Sequence, residues 1–543
     1  MEKYLSEIRK IICDFINAPH FKKTLLLGVA LYLIALFALL RGDIYYMDDF
    51  QHSIIDHSNA NTFSRYLMPL ILGGVLTFGK GTMDISPLPQ VLGVIFIVIS
   101  AMILLYVIRK KFDFIGVLAS LPLGLSPHFL QNLSYKFDSI TMGIALFLAI
   151  LPFLFHTQRR IFCAVSVVCL ILMFMTYQAA NATYIILSLY FALFLHADFK
   201  QGARFLGACA LNLIIASLIY RIIAQPVSEY IVAYTSDKML PLNVAFFGGV
   251  AQNLATYFAT IFSDLKNTPF IYLIALNCAL FAINAMLCNG RKIYAFVRAI
   301  LFLTLGFIAS YGLYAVLAMP IFEARVFYGL NALIAVICIA NISQFAESAE
   351  SNAESAESNT KSVADSAESG ADSTKSIAKS ADSTDSTDST ESTTDSTKLS
   401  KILRPLSFAS IAITAYFLIS FANIYGNALT KQSEYLDFRA KLLLYDLGEK
   451  IPSGAMVSLK IHLGQSLVSA RFAEKYGKIS HLIPQLAEND WFFYWRLTHL
   501  RAKYSQSDEI CAHLRENFGV ELVAQNAYHK IEKSKSCYFI TLK

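Results

Sequence analysis

Two adjacent carboxylates, Asp48 and Asp49, follow the first long apolar segment of the chain within the run Tyr45-Tyr46-Met47-Asp48-Asp49-Phe50. Two carboxylates this close to a low-dielectric membrane cannot both ionise without cost. One of them is therefore expected to have a raised pKa, to bind a cation or to act as a base. The alternative is an ordinary solvated loop, because aspartate is mostly found exposed. Position alone makes the pair a candidate for general-base catalysis.

A second polar group stands between two apolar segments. Ser126-Pro127-His128-Phe129 interrupts the helical pattern, and Tyr135, Lys136 and Asp138 follow. Tyrosine and aspartate suit a sugar through stacking and hydrogen bonds, and Lys136 would be free to meet a phosphate. The alternative is equally compatible with the sequence: a capping loop in which Asp138 stabilises the start of the next helix.

A third candidate is Glu323-Ala324-Arg325, again between two apolar segments. An arginine at a membrane boundary costs free energy unless it meets an anion, which is either an ordinary lipid phosphate or the phosphate of a lipid-linked substrate. The histidines lack metal-ligand spacing, so we expect structural or solvated roles for them. The sequence contains no Walker A loop, GxSxG, HExxH or dinucleotide-binding fingerprint.

The composition of the chain indicates the class of protein that positions these residues. The chain has 543 residues, of which 56% are hydrophobic and only 15% charged, whereas soluble domains average about a quarter charged residues. Its mean hydropathy is +0.51. These values exclude a soluble enzyme, a disordered protein and a disulfide scaffold, and they indicate a polytopic α-helical membrane protein.

Apolar runs predict about eleven transmembrane helices. The first lacks a small-residue cleavage site and is interpreted as an uncleaved helix rather than a signal peptide. Two further apolar stretches, 66–78 and 244–262, are short or interrupted, which is typical of interfacial or re-entrant helices. The predicted spans are 24–40, 87–108, 112–127, 139–156, 161–178, 180–197, 204–224, 269–288, 294–318, 326–343 and 405–425.

Charge supports this count, because eleven spans place every basic cluster on one side, the cytoplasm. Treating 244–262 as a span would move one of these clusters to the other side. Most loop carboxylates then lie on the outer face, with the N-terminus inside. The basic clusters are Lys22-Lys23, Arg109-Lys110-Lys111, Arg159-Arg160, Lys200 with Arg204, Arg291-Lys292, and Lys401 with Arg404.

The remaining segments give the domain organisation. Residues 1–345 form a ten-span core, 346–400 an acidic Ser/Ala-rich linker, 401–425 the last span and 426–543 a small α/β domain. The linker carries −8 against a total of +6, so the rest carries +14. Its composition offers almost nothing to bury, which predicts a disordered cytoplasmic segment. The basic remainder suits anionic lipid rather than nucleic acid.

The domain at 426–543 is predicted to lie outside the membrane. Residues 427–447 have helical spacing, whereas 455–463 and 537–542 have the pattern of strands. Nine cysteines occur in the chain, and most lie in apolar segments, where cysteine behaves as a small hydrophobe. Cys511 and Cys537 belong to this domain, and an oxidising compartment would allow them to pair.

Several short motifs now form an ordered set. The set spans about residues 24–345 and resembles the type II Gtr family of bacterial O-antigen glucosyl transferases. Ser64 stands where relatives usually carry a glycine before the arginine. The motifs are Asp48-Asp49, Ser64-Arg65, Asp84-Ile85-Ser86-Pro87-Leu88, Ser126-Pro127 with Phe129, Tyr135 with Phe137-Asp138-Ser139, and Tyr177-Gln178.

The resemblance implies a GT-C-type membrane glycosyltransferase. Such an enzyme takes a sugar from a polyprenyl phosphate and places it on a glycan acceptor at the outer face of the bacterial inner membrane. One of Asp48 and Asp49 would be the base. Because cationic side chains can neutralise the donor phosphate, we predict no cofactor and no metal requirement. The predicted substrate-binding residues are Arg65, Tyr135, Lys136, Asp138, Gln178, Glu323 and Arg325.

Two other functions are compatible with a membrane protein of this composition. A transporter or lipid flippase would place ionisable groups within spans and show repeated halves. Here the carboxylates collect in loops, and no clear repeat is present, which favours an enzyme. A non-catalytic partner in envelope glycan assembly is a further alternative, in which the C-terminal domain would make the contacts.

Overall fold

The computed structural model describes residues 2–54, 65–79, 83–196, 198–224, 236–287, 292–343, 391–452, 454–461, 464–484, 490–500 and 505–543. Within these residues the chain is mostly helical and contains two small β-sheets. Most of the predicted linker, together with Ser64 and Arg291, lies outside the described residues. The linker's last part does not, because one helix begins at Glu391.

Short connections join most of the helices. The helices are Glu2–Ile16, Phe21–Ala35, Phe37–Arg41, Asp49–Ile54, Leu67–Pro69, Leu88–Arg109, Phe114–Ser120, Pro122–Leu125, Leu130–Ser134, Ser139–Ile150, Arg159–Phe174, Asn181–Tyr190, Phe199–Ile223, Ala245–Leu265, Phe270–Leu287, Lys292–Ala309, Tyr328–Ser343, Glu391–Lys450, Leu467–Tyr476, Asp490–His499 and Asp508–Phe518. Several continue as short 3₁₀ or π segments, among them Leu70–Leu76, Leu151–Phe155 and Phe191–Leu195.

Six helical segments of the described chain are long and apolar enough to cross a membrane, fewer than the eleven predicted spans. All six coincide with predicted spans. The other five predictions correspond to shorter or broken helices: the first is interrupted at Leu36, and another at Leu121, before Pro122. The six segments are Leu88–Arg109, Gln178–Leu195, Phe199–Ile223, Phe270–Leu287, Lys292–Ala309 and Ile402–Leu447.

The stretch that the charge argument excluded as a span forms one unbroken helix, Ala245–Leu265, despite its paired glycines. It is not among the six apolar segments. Its far end carries Asp264, which is buried and whose Oδ2 lies 3.1 Å from His128 Nε2 and 3.2 Å from His481 Nε2. His128 is therefore buried and paired with a carboxylate, not solvated.

Close helix packing orients the polar connections. Helices Leu88–Arg109 and Ser139–Ile150 approach at Gly93 and Gly143, where a Cβ on Gly143 would lie 2.6 Å from the carbonyl oxygen of Gly93. Only glycine permits this backbone contact, which is a common device of membrane helix pairs. The contact fixes the start of the second helix and therefore the position of Asp138, which immediately precedes it.

A helix of 60 residues, Glu391–Lys450, joins the apolar core to the C-terminal region. At 1.5 Å per residue it is about 90 Å long, roughly three times the hydrocarbon thickness of a bilayer. Its last turns supply Leu436, Ala440, Leu443 and Leu447 to a second apolar core. The predicted last span is thus one part of a longer helix.

The second core is covered by a five-stranded mixed sheet in the order β4 (Ser505–Gln506), β3 (Met456–Ile461), β7 (Cys537–Leu542), β6 (His529–Ser534) and β5 (Glu521–Gln525). β3 pairs in parallel with β4 and β7, and the β5-β6 and β6-β7 pairs are antiparallel. The strands predicted at 455–463 and 537–542 are confirmed as β3 and β7. The smaller sheet pairs β1 (Ser236–Met239) with β2 (Leu317–Met319) in antiparallel orientation.

The disulfide considered for Cys511 and Cys537 is confirmed. Their Cα atoms lie 5.5 Å apart, within the ordinary range for a disulfide. The bond joins the helix Asp508–Phe518 to strand β7. It fastens that helix to the sheet at a small apolar cluster that also contains Phe539.

Candidate functional site

The adjacent carboxylates occupy the start of a short helix, Asp49–Ile54. Met47 has a left-handed backbone with φ of 53°, which costs a non-glycine residue about 1 kcal/mol and turns the chain sharply before the helix. The turn is closed by a hydrogen bond from the Asp49 N–H to the Tyr46 carbonyl, 3.0 Å long. As a result, Asp48 and Asp49 point into different surroundings.

Asp49 is fully buried and ties two connections together. Its Oδ2 accepts the backbone N–H groups of Tyr46, at 2.8 Å, and Lys136, at 2.9 Å. Burial raises the pKa of Asp49 well above its usual range, as do the charges of Asp48 and Asp138, against the two backbone hydrogen bonds. Its buried Oδ1 has no hydrogen-bond partner within the described chain.

Asp48 is the more accessible carboxylate, with 39% of its side chain exposed, and its Oδ2 lies 3.6 Å from Nε2 of His52. Burial opposes its charge, but the hydrogen bond and charge of His52 lower the pKa of Asp48. Burial likewise opposes charge on His52, and Asp48 outweighs it by raising the pKa of His52 to about 9. At neutral pH the pair is therefore a carboxylate and an imidazolium.

Asp138 completes a group of three carboxylates. It is buried, its Oδ1 has no hydrogen-bond partner among the described residues, and burial together with the charge of Asp48 raises its pKa to about 6. The cations of His52, Arg65 and Arg325 lower that pKa. All these groups are therefore close enough to interact electrostatically at one end of the helices.

Arg325 is held against the second predicted motif. Its guanidinium donates to the Tyr135 hydroxyl, and its backbone N–H donates to Gln131 Oε1 at 2.7 Å. The Gln131 amide also reaches Glu323 Oε2 at 3.4 Å. The charge of Arg325 lowers the pKa of Asp48, so the cation and the exposed carboxylate belong to one cluster.

Arg65 approaches the cluster from the chain segment after the first polar loop. Its guanidinium lies 4.8 Å from the centre of the Tyr177 ring, and its Nε donates to Gln178 Oε1 over 3.3 Å. Gln178 in turn donates to the Tyr220 hydroxyl at 3.0 Å. The charge of Arg65 lowers the pKa of Asp138, so this network holds the guanidinium within electrostatic reach of that carboxyl.

Lys136, for which a free side chain was expected, is already paired with two carboxylates. Its side chain is buried, and its Nζ lies 2.5 Å from Asp43 Oδ1, 3.3 Å from Asp84 Oδ2 and 3.8 Å from the centre of the Tyr45 ring. Two carboxylates and an aromatic face compensate for the desolvation of the ammonium group. We call Lys136, Asp43, Asp84 and Tyr45 the lysine cluster.

The remaining predicted residues assemble around Asp48, and we call this assembly the aspartate cluster. It consists of Asp48, Asp49, His52, Arg65, Tyr135, Asp138, Gln178, Glu323 and Arg325. Sequence analysis missed His52, although its spacing of four residues from Asp48 was a signal, and it missed Gln131, for which the sequence carries no signal. Among the described residues, no group of three or more His, Cys, Asp and Glu could hold a metal ion.

A comparison with known proteins identifies the family to which the segment carrying this cluster is similar. The family model of glucosyl transferase GtrII matches residues 36–336, more than half of the chain and nearly all of the aspartate cluster's surroundings. This chain belongs to the glucosyl transferase GtrII family. The resemblance to type II Gtr proteins is therefore confirmed. The match ends before the long helix and the C-terminal region, so those parts lie outside the shared segment.

Two individual proteins are similar to this GtrII family member. An uncharacterized 55.3 kDa protein of Salmonella phage P22, from the gtrB 5' region, is 27% identical over 252 residues, which are 45% of this chain and 50% of the relative. The chain thus spans about half the length of that curated relative. The crystal structure of ArnT from Cupriavidus metallidurans, bound to undecaprenyl phosphate, has 10% identity and a TM-score of 0.38 over 92% of this chain and 96% of ArnT.

Proposed function

We propose that this protein is a membrane glycosyltransferase. It moves a hexosyl group, glucosyl by its family, from a polyprenyl-phosphate donor to a surface glycan such as O-antigen. One observation carries the proposal: an ionised, accessible carboxylate, Asp48, shares a cluster with two arginines. Transfer from a lipid phosphate requires these two kinds of group, a base for the acceptor and cations for the leaving group.

In the proposed reaction, Asp48 accepts the proton of an acceptor hydroxyl. The hydroxyl oxygen forms a bond to the anomeric carbon while the bond from that carbon to the phosphate oxygen breaks. The electron pair leaves with the polyprenyl phosphate, whose charge Arg325 and Arg65 stabilise. Direct displacement inverts the anomeric centre. Tyr135, Gln178 and Glu323 orient these groups through the contacts described above.

The two neighbouring aspartates have different roles in this mechanism. Asp48 is the base, because its side chain is accessible and His52 keeps it ionised. Asp49 holds the backbone of both loops through its two accepted N–H bonds and is inaccessible to an acceptor. A buried carboxylate bonded in this way supports the geometry of its neighbour instead of exchanging a proton with substrate.

The proposed location is the inner membrane of a bacterium, with the N-terminus cytoplasmic and the site at the periplasmic face. Eleven spans, ten of them in residues 1–345, remain our topology, followed by a cytoplasmic linker at 346–400, the span at 401–425 and a periplasmic domain at 426–543. The disulfide between Cys511 and Cys537 supports this placement, because such bonds persist in oxidising compartments.

The test is sugar transfer by the full chain in lipid vesicles. The donor is polyprenyl-phosphate glucose, the acceptor is lipid-linked O-antigen, and the product is analysed by mass spectrometry. We expect Asp48→Asn to lower kcat about 1,000-fold, in the range of lost general-base catalysis. Asp43→Asn, which changes an exposed carboxylate of the same loop, should retain most of the activity.

Two results would contradict the proposal. Absence of transfer by the wild-type protein from any polyprenyl-phosphate hexose is one, and full activity of Asp48→Asn is the other. A vesicle assay that follows the donor from one leaflet to the other separates the transporter alternative. A transporter would move the labelled lipid without changing the acceptor glycan.

A further inference from the structure

The C-terminal region, outside the segment matched by the family, packs directly on the helix that carries Asp49. Its helix Asp490–His499 lies across helix Asp49–Ile54. The Arg496 guanidinium stands 4.5 Å from the centre of the Phe50 ring. His499 Nδ1 lies 3.2 Å from Ser53 Oγ, and its ring centre is 5.5 Å from that of Phe50. Phe50 and Ser53 of the helix Asp49–Ile54 are thus contacted from the C-terminal region.

Arg496 is fixed in place by the long helix. It is 5% exposed, forms an ion pair with Asp437 and donates to the Ser433 carbonyl over 3.3 Å. A guanidinium held by a carboxylate and a carbonyl loses little further freedom when it also stacks on an aromatic ring. The position of Phe50 is therefore linked to that of the helix Glu391–Lys450.

A second set of contacts holds the other end of the same segment. The Tyr46 hydroxyl donates to the Leu482 carbonyl at 2.8 Å, and the Tyr425 hydroxyl donates to the same oxygen at 3.3 Å. Gly426 of the long helix packs closely on the helix Phe37–Arg41. A Cβ on Gly426 would lie 2.6 Å from the backbone nitrogen of Leu39. Asp48 and Asp49 thus lie between two anchored points, Tyr46 and Phe50.

The space left between the loop and the C-terminal region is small. The cavity lined by Tyr45, Met47, Phe50, Gln432 and Arg496 has a volume of about 30 Å³. That volume holds one or two water molecules but no hexose ring. Along these residues the loop therefore packs against the C-terminal region without room for a sugar ring.

We propose that the C-terminal region is a positioning element for catalysis, with Arg496 and His499 as positioning residues that set the orientation of Asp48 through Phe50 and Ser53. The inference rests on the proposed role of Asp48 as the base. Neither residue touches the reacting atoms. Their contribution is to hold the carboxylate in the geometry at which it meets the acceptor hydroxyl, and small displacements of such a group cost large factors in rate.

The experiment compares two buried arginines of the same apolar core. Arg496→Met removes the contact to Phe50. Arg439→Met is the matched control, because Arg439 is 3% exposed and donates to the carbonyls of Tyr528 and Lys543, away from the loop. Both variants are made in the full chain and assayed in vesicles as above. Formation of the Cys511–Cys537 disulfide reports whether the sheet has folded.

For Arg496→Met we expect kcat to fall about tenfold or more, with the KM values of donor and acceptor within about twofold of wild type. Arg496→Lys should recover part of the loss, because it keeps a cation near Phe50. Arg439→Met should keep kcat within about threefold. Equal losses in Arg496→Met and Arg439→Met would overturn the inference, since they would reflect general damage to the region.

If Arg496→Met does not accumulate in the membrane, the contact at His499 provides the test. His499→Ala should lower kcat, and His499→Asn, which can keep a hydrogen bond to Ser53, should restore it. Normal kcat in His499→Ala would overturn the inference. Asp48→Asn in the same assay separates the two proposals. If Asp48→Asn is inactive while Arg496→Met and His499→Ala are fully active, only the positioning inference fails, whereas an active Asp48→Asn removes the proposed function itself.

Discussion

The aspartate cluster and the lysine cluster lie side by side, yet their charges are organised in opposite ways. In the lysine cluster, Asp84 accepts from Lys136, Tyr45 and both the N–H and hydroxyl of Ser86. Although burial opposes its charge, these bonds lower the pKa of Asp84 to about 2. In the aspartate cluster, by contrast, one oxygen each of Asp48, Asp49 and Asp138 is buried without a partner in the described chain.

This difference is the one expected between a supporting network and the proposed reactive site. A polar network whose groups are all satisfied is rigid and has nothing left to offer a ligand. Buried oxygens without protein partners cost free energy, and each can still accept a hydrogen bond from a ligand or a water molecule. The backbone N–H of Lys136 joins the two clusters by donating to Asp49, so the satisfied network supports the unsatisfied one.

Among the further variants that compare the two clusters, the largest fall in kcat for sugar transfer is expected at Arg325. Arg325→Gln removes the cation that we assign to the donor phosphate, and loss of one such group typically costs about 100-fold in kcat. We therefore expect a fall of that size in transfer from polyprenyl-phosphate glucose. Steady-state kinetics in vesicles, with donor concentration varied, measure it.

Two variants control for other consequences of removing Arg325. Tyr135→Phe deletes the hydroxyl to which Arg325 donates, and it should cost less than the loss of the cation. Arg298→Gln removes an arginine whose guanidinium lies over the rings of Phe194 and Tyr294, neither of which belongs to the cluster, and should leave transfer unaffected. Donor use by Arg325→Gln at the wild-type rate would remove Arg325 from the site.

A smaller effect, visible mainly in the pH profile, is expected at His52. In the wild type His52 is protonated below about pH 9 and lowers the pKa of Asp48. His52→Gln removes that cation while the burial that opposes the charge remains, so the pKa of Asp48 rises. The acidic limb of kcat/KM should therefore move to higher pH by about one unit.

The pH profile of His52→Gln is compared with the profiles of the wild type and of Asp138→Asn. Removing the charge of Asp138 lowers the pKa of His52, which moves the opposite, alkaline boundary downwards. An acidic limb in His52→Gln that coincides with that of the wild type would show that Asp48 does not titrate under the control of His52.

Much of the aspartate cluster could be predicted from sequence because its members occur as local motifs. Asp48-Asp49, Tyr135 with Asp138, and Glu323 with Arg325 each stand next to an apolar segment whose length gives their end of the helix. Placing all basic clusters on one side then brings the motifs to the opposite side. The strands at the C-terminus were equally readable from their alternation, and the disulfide followed from two cysteines in one predicted domain.

What could not be predicted depends on contacts between distant segments. Lys136 directly follows Tyr135 in the sequence, yet of these two residues only Tyr135 contacts Arg325. The Lys136 side chain instead pairs with Asp43 and Asp84, which lie 93 and 52 residues earlier. No local pattern encodes that choice. The packing of Arg496 on Phe50 joins the two ends of the chain in the same way, and hydropathy could not foresee that the last span continues into the C-terminal core.

The smallest effect on transfer is expected at Lys136, whose ammonium group is paired with Asp43 and Asp84. Lys136→Met removes the side chain but keeps the backbone N–H that binds Asp49. The carboxylates of Asp43 and Asp84 lose their common cation, which destabilises the loop. We expect a lower Tm with the KM for the donor within about threefold of wild type.

Adding Asp84→Asn to Lys136→Met should recover part of the lost Tm, because it removes one of the two uncompensated charges. A donor KM raised tenfold or more, with Tm unchanged, would instead place the ammonium group on the donor phosphate and would end the distinction between the two clusters.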